Sequence, residues 1–506
     1  MESKVKEAVQ RKMCGYNCAQ AVACTYSEQA KFEDRATFTI VNRKLDAPQF
    51  TKSEDDTYLY ITTSNLKLKY RKGTDPRTLP ASPSNLTITI SGNGVSSVWY
   101  PGKPDPLNLK GTSRTLDGLM GESKRAEMEN GLVSRSGWAV IDDSWASPRS
   151  DGGRSYALSP NSDMGYPWWT QRADNHAMDT YVLGYGHNYK KALADYTKIA
   201  GNIPLPPNYV FGYWYSKYSS YSADDYRNIM SDLKTNKIPT DVMVIDMDWH
   251  WNGNAYSQSE GRGGWTGWSW NTNLIPNPKG LLSEMHSQNF KTALNLHPAD
   301  GINQIESPTY FAAMNSELGG KYLNDNRDNI NWSLDYTDFT KSFFKNIIRD
   351  HESEGVDFWW IDWQQYLTSP YTNSLSETFW CNYVFFNEAA KRDNHRPVIF
   401  HRWGGLGSHR YQIGFSGDAH ESSITAQPER ETKPLSISER LLSPIRPSNV
   451  RQVPFKFSGS GLPGYQTVET PLPVIAMVRL AEEAGRVRGS VPLRYLSFRL
   501  DVIIYK

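Results

Sequence analysis

The sequence predicts an α/β chain: a (β/α)8-type barrel, incomplete at its end, preceded by an N-terminal β-sandwich. Three observations predict it. From 208 onward apolar runs alternate with helical stretches, and from about 36 to 200 short strands are separated by Pro, Gly, Ser and Asn. After about 421 both rhythms stop. Repeated βα units with buried strands point to a parallel sheet, whereas closely spaced alternating strands with turn signals point to a sandwich.

The expected divisions are 1–30, a helical segment of unclear origin; 36–200, the sandwich; 208–420, the catalytic barrel; and 421–506, an atypical tail, disordered or frame-shifted. The first reads as an amphipathic helix on Val5, Val9, Met13, Ala19 and Val22. Its segment KEAVQRKMCGYNCAQAV resembles the opening of a small cysteine-rich redox-protein family, over that one helix only. A surface helix with incidental cysteines reads equally well. Sandwich strands are expected at 37–41, 58–62, 66–70 and 86–90, with a helix over 187–200 leading out. Asn202-Ile203-Pro204-Leu205-Pro206-Pro207 then forms a stiff linker, because proline fixes φ.

In the barrel, six strands are expected: 209–215, 241–247, 291–297, 357–363, 397–402 and 411–415. Helices are expected at 223–234 and 337–351. The tail is rich in Pro, Ser and Arg, contains none of the 17 Trp, and offers one helix at 474–483.

Composition excludes several functions. With 55 Lys plus Arg against 54 Asp plus Glu, the net charge of +1 points to neither nucleic acid nor an anionic membrane. No apolar run is long enough to cross a bilayer. The charged start lacks the apolar core of a secretory signal, so the default expectation is cytoplasmic. Of the four cysteines, Cys14, Cys18 and Cys24 crowd the first segment and Cys381 stands alone, so no disulfide framework spans the chain. The 17 Trp and 29 Tyr fit stacking on sugar rings, though ordinary cores use the same residues.

In a barrel of this type, chemistry sits at the C-terminal ends of the strands. Polar residues follow apolar runs at Asp246, Asp248 and His250, at His297, at Asp362, at Arg402, and at Gly414-Phe415-Ser416-Gly417-Asp418. A single such Asp caps a helix or pairs with an Arg as readily as it catalyses. Several converging acids flanked by Trp instead suit glycosidic cleavage, which needs one ionised and one protonated carboxyl across the bond. Asp246, Asp248 and His250 also look like metal ligands, but no second His cluster supports them; neither metal nor cofactor is expected.

Gly355-Val356-Asp357-Phe358-Trp359-Trp360-Ile361-Asp362-Trp363 resembles the nucleophile strand of glycoside hydrolase family 31, which commonly reads Trp-Ile-Asp-Met-Asn-Glu. Trp363-Gln364-Gln365 departs from that pattern. Arg402 followed by Gly417-Asp418 is similar to the family's acid/base segment, and Ile245-Asp246-Met247-Asp248 to its substrate-gripping strand. Asn108–Asp117 and Gly131–Trp138 resemble its N-terminal sandwich, so the likeness runs from about 36 to 420.

The resemblance implies a retaining α-glycosidase of the α-glucosidase type, with Asp362 as nucleophile and Asp418 as acid/base. It implies that Asp246, Trp360, Arg402, His297, Trp363 and Phe415 bind an oligosaccharide or glycoside. α-Glucose is the default sugar. The departures at Trp249-His250 and Trp363-Gln364-Gln365 keep open α-galactose or an N-acetylated α-galactosamine. Strands seven and eight, which in this family supply an Asp and a His, have no segment after Glu421. The expectation is therefore an open barrel with low or absent turnover, and a non-catalytic carbohydrate-binding relative is the alternative. A redox protein built on the N-terminal cysteines is a third reading.

Overall fold

A computed structural model describes residues 21–29, 31–43, 45, 49–76, 84–111, 128–149, 152–252, 264–362, 368–369, 371–372, 374–392, 396–402, 405–415 and 417. All of the redox-like segment but Ala21 and Val22, and all of the tail, including the helix at 474–483, lie outside these residues.

The N-terminal part is antiparallel. Strands β1 (Ala21–Tyr26), β2 (Thr51–Glu54), β3 (Tyr58–Thr62), β4 (Leu66–Arg71), β5 (Leu86–Gly92), β6 (Val95–Trp99), β7 (Ala139–Asp142), β8 (Ala157–Ser159), β9 (Trp168–Thr170) and β10 (Met178–Leu183) form three sheets. Their orders are β2-β3-β4-β5-β6, β1-β10-β7 and β8-β9. In β4 and β5 buried and less buried residues alternate, as expected of a sheet with one covered face. That face packs Leu66, Leu68, Ile88 and Ile90 into one cluster with Cys24 of β1 and Met178 and Val182 of β10.

Two local expectations are corrected here. Residues 21–26 are a strand rather than the end of a helix, paired antiparallel with β10 from Ala21↔Leu183 to Tyr26↔Met178. Thr37–Val41 is a turn rather than a strand: the Thr37 N–H donates to the Ile40 carbonyl at 2.7 Å, and the Ile40 N–H donates back to Thr37 Oγ1 at 3.1 Å.

Helix α1 (Tyr189–Ala200) matches the expected exit helix. Beyond it come β11 (Trp214–Tyr215), α2 (Ala223–Thr235), β12 (Val242–Ile245), α3 (Pro278–Ser287) and β13 (Lys291–Leu296). A two-stranded excursion, β14 (Ile302–Asn303) with β15 (Asn329–Ile330), brackets α4 (Pro308–Leu318). Then follow α5 (Thr337–Phe343), α6 (Arg349–Glu354), β16 (Phe358–Ile361), α7 (Glu377–Ala389) and β17 (Phe400–His401). A π-helical turn at Phe344–Ile348 joins α5 to α6, so the expected single helix is continuous but locally widened. Helix α2 begins where a capping box dictates, Ser222 and Asp225 satisfying each other's backbone N–H groups.

Strands β11-β12-β13-β16-β17 are parallel neighbours in chain order without a reversal, which is the winding of a barrel rather than of a doubly wound sheet. His401↔Gly414 adds a sixth position at the β17 edge. Among the described residues this is a curled, incomplete barrel. Only Trp214 and Tyr215 of the expected 209–215 run are strand, because after Pro206-Pro207 the chain turns as a 3-10 helix at Asn208–Phe211.

Period-two alternation sorts the barrel residues. Met243, Ile245, Leu294, Leu296, Trp359 and Ile361 face outward into a core shared with the helices. Trp214, Val242, Val244, Ala293, Phe358, Trp360 and Phe400 face the other way and form the inner layer with Phe415. Phe38, Tyr156, Leu158, Met164, Tyr166 and Trp168 also join the outer core, and Phe38 stacks on Phe379 of α7 with centroids 4.4 Å apart. The antiparallel part thus packs directly on the helical side of the barrel.

Candidate active site

The inner face that carries Trp360 also carries Asp362, two residues on and just past β16. Leu296 pairs with Ile361 and Ile361 with His401, so one register step further sets His297, Asp362 and Arg402 side by side. Backbone bonds carry that step: the Asp362 N–H donates to the Leu296 carbonyl at 2.9 Å, and the Arg402 N–H to the Ile361 carbonyl at 3.2 Å.

The side chains converge on the Asp362 carboxylate, which is 6 % exposed. Arg402 donates from Nη1 to Oδ1, and Asn295 donates from Nδ2 to Oδ2 at 2.9 Å. His297 Nε2 stands 3.6 Å from Oδ2, outside hydrogen-bond range but close enough for charge to matter. The Arg402 guanidinium lies over the Phe415 ring, 5.1 Å from its centroid. The guanidinium beside this buried carboxylate favours its ionised form.

Asp246 ends β12 and accepts from the Met247 N–H at 2.7 Å, capping the short turn Met247–Trp249. Asp248 accepts from Ser220 Oγ and Asn252 Nδ2, so it orders the loop. His250 is fully buried and donates from Nδ1 to the Trp251 carbonyl at 2.7 Å; the tautomer follows because a carbonyl only accepts. Burial lowers its pKa to about 4, so it stays neutral near pH 7.

Trp360 and Phe415 sit in the inner layer beneath Asp362, their rings 5.1 Å apart. The acid/base candidate Asp418 and the candidate Trp363 fall outside the described residues. Residues 203–430 match the family described as Glycosyl hydrolases family 31 TIM-barrel domain. Through this segment, 228 of its 506 residues, the chain matches glycoside hydrolase family 31.

The similar proteins of known name are partial matches. The α-xylosidase of Saccharolobus solfataricus is 27% identical over 189 residues, 37% of this chain and 22% of that protein. α-Glucosidase 2 of Bacillus thermoamyloliquefaciens is 28% identical over 138 residues, 27% of this chain and 15% of that protein. The chain therefore spans about a fifth of the length of such relatives. Among solved structures, the Flavobacterium johnsoniae GH31 dextranase complexed with glucose aligns at TM-score 0.54 and 16% identity, covering 80% of this chain and 53% of that one. The cycloalternan-forming enzyme of Listeria monocytogenes, in complex with a pentasaccharide, aligns at 0.51 and 16%, covering 80% and 43%. These likenesses are of fold.

Two residues of this candidate site are not singled out by the sequence. Asn295 was passed over inside Leu294-Asn295-Leu296-His297; the available signal was a lone amide on the inward phase of a buried strand. Trp265 is 56 % exposed, with its ring centroid 5.4 Å from that of His297. Its neighbour Thr266 donates to the His297 carbonyl and accepts from the Asp300 N–H at 3.1 Å, which fixes the loop.

Proposed function

We propose that this site is that of a retaining α-glycosidase acting on a terminal α-glucosyl unit by double displacement. Asp362 attacks the anomeric carbon and forms a glycosyl-enzyme, while Asp418 protonates the departing oxygen and then takes a proton from water. Arg402 keeps Asp362 ionised, and Asp246 accepts hydrogen bonds from sugar hydroxyls. His297, Trp363, Trp360 and Phe415 complete the walls of the sugar site. The observation that carries the reading is the buried Asp362 carboxylate, gripped by Arg402 at one oxygen and Asn295 at the other, at a strand end of a family 31 barrel.

The names of the partial relatives, α-xylosidase and α-glucosidase, support an α-linked substrate. The proposed layout keeps the sandwich at 36–200, whose two larger antiparallel sheets share a core and are joined from outside that range by β1, and the barrel at 208–420.

Hydrolysis of aryl α-glucoside and aryl α-xyloside by the full chain tests the proposal. Low turnover of the glucoside, abolished by Asp362→Asn, is expected. Preference for the xyloside would move the specificity. Turnover that persists in Asp362→Asn would remove the assignment.

A further inference from the structure

The side chain of Asn295 lies where packing alone favours a hydrocarbon. It belongs to the buried run Thr292-Ala293-Leu294-Asn295-Leu296, is itself fully buried, and projects on the inner face above Ala293. Its Oδ1 has no hydrogen-bond partner among the described residues, an unfavourable state for a buried acceptor. Its Nδ2 makes one contact of consequence, the 2.9 Å bond to Asp362 Oδ2. The backbone beneath is clamped independently, since Trp249 Nε1 donates to the Asn295 carbonyl at 2.8 Å. A leucine at 295 would suit the strand and leave that clamp in place, so the amide is explained by Asp362 rather than by the fold.

We infer that Asn295 is a positioning residue for the nucleophile: it fixes the rotation of the Asp362 carboxylate by holding Oδ2 while Arg402 holds Oδ1. The inference rests on the glycosidase reading above. With a donor held on each oxygen, the carboxylate plane cannot turn without breaking a bond. Loss of the Asn295 donor removes its hold on Oδ2, which also faces the His297 ring 3.6 Å away, and loosens that rotation. In the attack, a C–O bond forms between the carboxylate and the anomeric carbon while the bond to the leaving group breaks, its electron pair departing with that group. A near-attack geometry is sensitive to misplacements of about 1 Å, worth about 100-fold in rate.

The test uses the full chain and an α-glucosyl fluoride carrying a second fluorine at C5. Fluoride leaves with the bonding pair, and the slowed ester remains on Asp362, where mass spectrometry reads the rate of labelling from pH 5 to pH 8. Asn295→Leu should label about 10–100-fold more slowly than the native chain at every pH. Asn295→Asp should be equally slow at pH 8, where two carboxylates repel. Relative to the native chain it should recover toward pH 5, where the pair shares one proton and the new carboxyl donates to Asp362. A residue that only fills space would accept leucine, of similar volume, with no loss of labelling at any pH.

Native-like labelling of Asn295→Leu would overturn the inference and leave the glycosidase reading standing. A loss in Asn295→Asp that is the same at both ends of the pH range would also overturn it. That second variant carries the test if Asn295→Leu fails to fold. Absence of label on the native chain would sink the glycosidase reading and this inference with it.

Discussion

Replacing Glu377 by Gln should stabilise the protein above pH 7 and leave it nearly unchanged near pH 4.5. Glu377 opens helix α7 and is buried at 2 % exposure. Its Oε1 accepts from Trp332 Nε1 at 2.6 Å and from Cys381 Sγ at 3.4 Å. Burial pushes its carboxyl up to about 7, from an ordinary 4.5; the neighbouring Asp335 charge adds to the rise and the two donors oppose it. The shift spans about 2.5 pH units, and at about 1.4 kcal/mol per unit it corresponds to about 3 kcal/mol.

The direction follows from proton counts. Between pH 4.5 and 7 the folded chain holds a proton on Glu377 that the unfolded chain has released, so stability falls as pH rises through that window and levels off above it. Glutamine is uncharged throughout and keeps the acceptor for Trp332. Urea unfolding of both proteins, followed by far-ultraviolet circular dichroism at pH 5 and pH 8, reads the difference. The gap should widen toward about 3 kcal/mol at pH 8. A gap of the same size at both pH values would refute the reasoning, since it would mean that Glu377 releases its proton alike in both states.

Two further outcomes follow from packing. Arg172→Met should destabilise the protein by about 3–5 kcal/mol, measured by the same urea titration, because it breaks a buried four-charge cluster. Arg172 reaches Asp179 at 2.7 Å and Asp143 at 3.4 Å, and Arg43 contacts the same two acids, with all four side chains at most 3 % exposed. Gly153→Ala should lower the thermal midpoint by an amount equivalent to about 1–3 kcal/mol: a Cβ there would lie 2.4 Å from the backbone of Ser376, the N-cap of α7. An unshifted midpoint would show that the contact between this loop and the helix relaxes freely.

Much of the site was legible because strand ends are local. An apolar run that stops at Asp246, His297, Asp362 or Arg402 marks the polar end of a buried strand, and barrel winding then brings those ends together without further information. The helices α1 and α2 were equally legible from apolar spacing and, for α2, from the Ser222–Asp225 cap. Elsewhere local pattern misled. Ala21–Tyr26 is too short and too mixed to reveal its period, and its strand state comes from pairing with β10, more than 150 residues away along the chain. Thr37–Val41 has β-branched and aromatic residues in alternation, yet Thr37 spends its donors on a turn and on Asp143.

Sequence by itself determined the alternation of strand and helix after 208 and the acidic residue at the end of β16, because each depends on neighbours within a few positions. Only the tertiary structure decided that Asn295 and Arg402 divide the two oxygens of Asp362 between them. Those partners lie 67 and 40 residues from it in the chain, and a hydrogen bond acts over about 3 Å of space. No spacing along the backbone encodes a contact that exists only after three parallel strands have been laid side by side.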